Sequence, residues 1–312
     1  MQNAILKSHS KRFPYWLRQS VRDNEGFSGT KDVISRLGLN TVCQSARCPN
    51  IYDCFSAKRC TFLILGASCT RSCGFCAVKN GNSKLPPQPR RLRPVANLQP
   101  QPTRLRWSNL NPPDKEELFR IKEAIERLGI THAIITSVTR DDLADGGAGH
   151  FADCVNILKG IKGSAKIEVL VPDFCGDRKA IEKVISARPD IFSHNLETAP
   201  RLYSKVRPGA DYRRSLEILK YAKALDKGII TKSGIMVGLG EFREEVRGVM
   251  ADIRAVGCDI VTVGQYLKPG PDCLDVEEFL EPWEFDKFSE WARELGFKKY
   301  YCGPFVRSSY VF

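Results

Sequence analysis

The chain has 312 residues, 42% hydrophobic and 27% charged, with twelve cysteines and a net charge of +12. That length supports one sizeable core rather than a small disulfide scaffold, and no run reaches the ~18 apolar residues of a membrane helix. The first 20 positions carry Lys7, Lys11, Arg12 and Arg18 without a continuous apolar core, so no secretory signal is expected. Clustered thiols in a large α/β body favour metal or redox use in a reducing compartment, and the expected location is the cytoplasm. The basic surplus suits an acidic partner, whether nucleic acid, an anionic surface or an acidic protein.

Residues 1–40 read as an irregular or helical extension anchored by Phe13-Pro14-Tyr15-Trp16-Leu17. Cys43, Cys48 and Cys54 follow in CxxxxCxxxxxC spacing, then an apolar strand at 61–65 and a CxxxCxxC loop, Cys69-Thr-Arg-Ser-Cys73-Gly-Phe-Cys76. Residues 84–113 hold eight prolines, six Lys or Arg and no acid. Proline at that density prevents helix and central strand, so this is an exposed basic insert, either a partner site or a solvated loop.

From there helices and strands alternate. Helices are expected at 116–128, 149–161, 177–187, 213–225, 241–256 and 282–295. Strands are expected at 133–138, 167–171, 191–194, 229–237, 260–266 and 298–302. Alternation with short links implies a parallel sheet with right-handed crossovers. About six β/α units fall short of the eight of a full barrel. The expected fold is α/β, a partial (β/α)6 TIM-like barrel, with a doubly wound open sheet as the alternative. Either architecture gathers residues after the strands at one site.

Cys69, Cys73 and Cys76 can hold three corners of a cubane iron–sulfur cluster and leave one iron open. A structural zinc normally takes four N or S ligands, often as paired CxxC units. Here no second pair and no nearby His stand beside the three. A redox CxxC at Cys73–Cys76 is a further reading. Cys43, Cys48 and Cys54 are either core thiols or ligands of a second cluster.

CxxxCxxC with an aromatic, Phe75, before the last cysteine resembles the radical S-adenosylmethionine superfamily. TVCQSARCPNIYDC followed by CTRSCGFC is similar, more narrowly, to the lipoyl synthase family. The similarity continues through ITSVTRDDLADGGAGHF (135–151), HNLETAPRLYSKVRPGADYRRSL (194–216), VGQYLKPG (263–270) and GPFVRSSY (303–310). The resemblance implies two [4Fe-4S] clusters and S-adenosyl-L-methionine as cofactors. Cys69, Cys73 and Cys76 would ligate the cluster that reductively cleaves the cofactor to an adenosyl radical. Cys43, Cys48, Cys54 and Ser309 would ligate an auxiliary cluster that donates sulfur. An alkoxide is a hard, poor ligand for iron beside thiolates, so a serine there leaves readily.

The implied activity is that of a sulfurtransferase, inserting two sulfurs at C6 and C8 of an octanoyl chain carried on a protein lysine. Implied partners are octanoylated carriers (the glycine cleavage H protein and E2 lipoyl domains), a ferredoxin- or flavodoxin-type electron donor and cluster-supply proteins. A membrane or nucleic-acid partner is not expected. The implied organisation is a cluster-binding extension over 1–60, the barrel over 61–302 and a serine-bearing tail over 303–312 as cap. The insert has no counterpart in the family pattern.

Phe75, Arg140, Asp141, Asn195 and Glu197 sit where they can meet the cofactor's amino, carboxylate or ribose groups; the plain alternative is a solvated loop. Cys60, Cys154, Cys175, Cys258, Cys273 and Cys302 read as bystanders. Competing functions are a basic, zinc-stabilised nucleic-acid binder, a tRNA methylthiotransferase or a biotin synthase.

Overall fold

The computed structural model describes residues 13–19, 24–81, 110–161, 163 and 165–309. The insert expected over 84–113 therefore lies outside the described residues up to position 109, as do residues 1–12 and 310–312.

Before the first strand come α1 (Glu25–Arg36), α2 (Val42–Ser45) and α3 (Ile51–Ser56). Strand β1 (Thr61–Ile64) is followed by a short parallel pair, β2 (Ser68–Cys69) and β3 (Lys79–Asn80). The alternation then runs α4 (Glu116–Leu128), β4 (His132–Ser137), α5 (Ala148–Leu158), β5 (Lys166–Leu170), α6 (Arg178–Ser186) and β6 (Ile191–Ser193). It continues through α7 (Tyr203–Val206), α8 (Tyr212–Leu225), β7 (Ile230–Val237), α9 (Arg243–Ala255), β8 (Ile260–Gln265), α10 (Pro282–Glu294) and β9 (Lys299–Gly303).

The main sheet has seven strands in the order β1-β4-β5-β6-β7-β8-β9, all parallel. Spatial order follows chain order, so the sheet never reverses direction. A doubly wound open sheet needs such a reversal; a partial barrel does not. Six helical crossovers join the seven strands, as the alternation predicted.

Sequence chemistry accounts for each layer. A parallel strand covered on both faces needs an unbroken apolar run. All four residues of β1 are buried, and so are all six of β8. Helix α4 buries Leu118, Ile121, Ala124, Ile125 and Leu128, one stripe at three- and four-residue spacing. Gly129 ends it in the left-handed conformation.

The N-terminal helices attach to the barrel edge. Thr41 bridges antiparallel to Phe62, and Leu63 N donates to Asn40 O at 2.9 Å. The Thr41 hydroxyl also caps α2 by accepting from Gln44 N. Cys43 is thereby set beside β1. The expected anchor is in place: Leu17 is buried, and Trp16 Nε1 donates to Leu280 O at 3.2 Å. No helix among the described residues is long and apolar enough to cross a membrane.

Helix α5 starts at Gly147, whose φ is +91°. A Cβ there would lie 2.3 Å from Leu65 Cδ1, under the turn that leads to the cysteine loop. Gly147→Ala therefore combines strain with overpacking, at about 1–3 kcal/mol for each effect. The expected outcome is a melting temperature several degrees lower, measured by calorimetry.

Candidate functional site

The cysteine loop is assembled by backbone contacts from several elements. Gly81 N donates to Cys69 O at 2.9 Å through the β2–β3 pair. The Cys69 thiolate position accepts from Thr139 N at 3.3 Å and Arg71 N at 3.4 Å. Gly74 N donates to Val206 O at 2.9 Å, and Leu274 N donates to Gly74 O at 2.7 Å. A Cβ on Gly74 would lie 2.8 Å from Leu274 side-chain atoms, so the close approach of this crossing requires glycine.

Arg71, inside the loop, ties it to two strand ends. Its Nε donates to Asp141 Oδ2 at 2.8 Å and its Nη2 to Asp173 Oδ1 at 2.6 Å. Asp173 also receives Arg214 Nε at 2.9 Å. Thr70 Oγ1 adds a bond to Thr139 O at 3.0 Å. Burial works against the charge on Asp173, but the bonds and charges of Arg71, with Arg214, outweigh it and hold the carboxyl far below the carboxylate range. Its folded value is depressed, so this anchor is complete at neutral pH and is lost only as pH falls well below the ordinary carboxylate range.

A cavity of about 640 Å³ opens at the C-terminal ends of the strands. Cys69, Cys73 and Cys76 line it with Phe75. Cys43, Cys48, Ser308 and Ser309 line it as well, and so do the polar residues His194, Asn195, Glu197 and Arg207. All twelve cysteines are free thiols. Burial, the largest cause, raises Cys73 to about 11 and Cys76 to about 12, with neighbouring sulfurs adding to both. Such thiols stay protonated at neutral pH until a metal displaces the protons.

The polar lining is short of partners. Among the described residues, His194 Nε2, Asn195 Oδ1 and Arg207 Nε are buried with no hydrogen bond. Buried polar atoms are rarely left so, and all three belong to residues that line the cavity. Asn195 Nδ2 donates to Glu197 Oε1 at 2.9 Å, and Arg207 Nη1 donates to Asn195 O at 2.8 Å. Burial raises the Glu197 carboxyl, with the Arg207 charge opposing. Burial pushes His194 down to about 4, so it is neutral at physiological pH. Glu197 has φ +68°, a strained position for a non-glycine residue, fixed by its N–H to Gly234 O and by its carbonyl to Met236 N.

The second thiol set is compact. Cys43 is pushed up to about 12 by burial, then by its Thr61 hydrogen bond against it and by Cys48 and Cys54 with it. Cys54 rises to about 11 through burial and Cys48. Cys54 is not among the cavity-lining residues, unlike Cys43 and Cys48. Cys60, read as a bystander, is buried beside Cys43 and Cys54. Thiols of both sets and several polar residues lining one cavity suit iron–sulfur clusters and an amino- and carboxylate-bearing cofactor.

Of the sequence-predicted cofactor contacts, Phe75, Asn195 and Glu197 line the cavity; Arg140 and Asp141 do not. Arg140 is committed elsewhere. It pairs with Asp142 at 2.7 Å and donates to Leu65 O at 3.2 Å and Asn111 O at 3.1 Å. Asp141 is committed to Arg71. Both positions lie after a strand at the site face, but their charges are neutralised locally. The sequence reading passed over Arg71; a lone arginine between two cysteines carries no signal until its partners, 70 and 102 residues away, are known. Arg207 also lines the cavity.

Residues 63–253 match the family model of the Radical SAM superfamily. The chain is 48% identical over 298 residues to the lipoyl synthase of Caldicellulosiruptor saccharolyticus, spanning 96% of this chain and 95% of that protein. It is also 48% identical over 299 residues to the lipoyl synthase of Caldanaerobacter subterraneus subsp. tengcongensis, with the same coverage, 96% and 95%. Among solved structures, methylornithine synthase (PylB) superposes with a TM-score of 0.54 at 17% identity, covering 88% of this chain and 76% of that one, a likeness of fold alone.

Removing one partner from a buried ion pair costs about 3–5 kcal/mol, because the other charge is left uncompensated. Arg71→Met leaves the fully buried Asp173 side chain with Arg214 as its remaining ion-pair partner. The expected result is a misplaced loop that loses its iron while the other thiol set keeps its own, read by iron analysis and electron paramagnetic resonance. Arg71→Lys retains the charge without the fork and gives an intermediate result.

Proposed function

The chain belongs to the lipoyl synthase family of radical SAM enzymes, and from that premise we propose how its two cysteine sets divide the work. The family reaction is radical SAM-dependent insertion of sulfur into a protein-bound octanoyl group to form the lipoyl cofactor. The family uses a [4Fe-4S] cluster and S-adenosylmethionine, and it acts on octanoylated lipoyl-carrier proteins.

In our reading Cys69, Cys73 and Cys76 hold the cofactor-binding cluster, and Cys43, Cys48, Cys54 and Ser309 hold a second one that is the sulfur source. When bound, the first cluster supplies the electron that splits the cofactor's sulfonium bond, giving a radical able to take hydrogen from unactivated carbon. The observation that carries the division is one cavity lined by Cys69, Cys73 and Cys76 and also by Cys43, Cys48 and Ser309. Sulfur must reach a carbon radical before solvent or protein does, which requires both sets at one space.

The polar lining supports a role in holding the cofactor. Asn195 Oδ1 accepts from its amino group, Arg207 Nε donates to its carboxylate, and Glu197 is held by Asn195 and Arg207. Leu63, Val138, Val171, Ile235 and Met236 supply apolar lining suited to an octanoyl chain. Tyr266, its hydroxyl donating to Leu274 O at 2.8 Å, stiffens the wall next to Phe75. Electron donation by a ferredoxin- or flavodoxin-type protein, cluster supply, and H-protein or E2 carriers belong to the same proposal.

Anaerobic reconstitution with iron and sulfide should give roughly eight irons per chain, as two four-iron clusters. Full clusters with no sulfur gained on an octanoylated carrier would sink the function. Cys69→Ala should abolish cofactor cleavage, whereas Cys43→Ala should keep cleavage and lose sulfur insertion. Equal loss of cleavage in both folded variants would refute the division. Ser309→Ala should impair sulfur transfer more than Ser308→Ala, measured as product on the carrier.

A further inference from the structure

Residues 304–309 run back from β9 across the open ends of β7 and β8, and they do so at two glycines. A Cβ built on Gly264 of β8 would lie 2.0 Å from the carbonyl oxygen of Val306 and 3.0 Å from its carbonyl carbon. Those are backbone atoms, so no rotamer change relieves the overlap. A Cβ on Gly234 of β7 would lie 3.1 Å from Ser308 Cβ, 3.0 Å from Asn195 Oδ1 and 2.8 Å from Thr262 Oγ1. Neither glycine has a positive φ. Glycine inside a strand otherwise weakens it, so what these positions need is the absent side chain, not backbone freedom.

The tail is gripped from its other side by the N-terminal segment. Asn50, between Cys48 and Cys54, donates from Nδ2 to Phe305 O at 2.6 Å. Arg307 turns back on its own segment, donating to Val306 O at 2.7 Å, and its guanidinium lies against the Cys48 thiol. The tail is thus sandwiched between two bare strand positions and the loop of the second thiol set.

We propose that Gly264 and Gly234 form a side-chain-free groove that docks residues 304–309, and that these two glycines are the positioning residues that carry Ser309 to the cavity. Docking stands on its own geometry; its consequence for sulfur transfer rests on the reading of Ser309 above. The backbone settles directly onto the sheet, at a distance that any larger residue forbids.

The test uses the reconstituted full-length enzyme. Brief trypsin digestion, read by mass spectrometry, reports release of residues 308–312 by cleavage after Arg307. The docked tail resists cleavage. Gly264→Ala should release that fragment at least about tenfold faster, because cleavage follows the undocked population. Gly234→Ala should do the same more weakly, since side chains there can shift, and it decides the matter if Gly264→Ala does not fold. Gly248→Ala, where a Cβ meets nothing within 4 Å, should match the parent chain. Gly264→Ala, which is remote from Asn195 and Glu197 in its close contacts, should keep cofactor cleavage near the parent rate and lose sulfur insertion. Unchanged resistance at Arg307 in a folded glycine variant overturns the groove. Faster release with iron content and sulfur insertion intact leaves the groove standing and overturns its positioning role, and with it Ser309 as a ligand.

Discussion

The ion pairs that Arg71 makes with Asp141 and Asp173 are the constraint on which the site depends. A loop carrying three thiols has no reason of its own to stay in one shape. Its residues are short or polar, and burial disfavours the thiolate form. Arg71 fastens the loop to the residues after β4 and β5, and Arg214 from α8 locks Asp173 from behind. Two strand ends and one helix are thereby committed to the geometry of one loop. The stabilisation is electrostatic and buried, so it is strong when complete and costly when any member is removed.

The same strand ends supply the polar lining. Asn195 and Glu197 follow β6 directly, and the backbone of Glu197 is clamped to β7 on both sides. That clamp maintains a left-handed conformation a glutamate would otherwise leave. Such strain is kept where the surroundings over-determine it, and here it sets Glu197 in the lining of the cavity that the thiols share. Unpaired atoms on His194, Asn195 and Arg207 mark the same region as built for something polar. The surrounding wall is apolar, which excludes water from a reaction that solvent would quench.

Segments from early and late in the described chain meet at this cavity. The N-terminal helices are fixed to β1 by Thr41 and Asn40, and the tail is fixed to them by Asn50. Cys69, Cys73 and Cys76 after β1 therefore share one cavity with Cys43 and Cys48 of the extension and with Ser309 of the tail.

The sequence by itself determined much of this. Unbroken apolar runs and helical stripes located the seven strands and the helices after position 113, because period and burial are local properties. The spacing of Cys69, Cys73 and Cys76, and of Cys43, Cys48 and Cys54, was legible as two candidate ligand sets, because thiols within a dozen residues can reach one ion. Charge assignments failed to carry the same way. Arg140 and Asp141 stand after a strand like Asn195 and Glu197, yet one pairs with Asp142 and the other with Arg71. The places of Arg71 and Arg207 and the emptiness above Gly234 and Gly264 were decided only by tertiary structure. Each depends on what lies opposite, and ion pairs and close backbone approaches join residues whose separation in the chain leaves no periodic trace.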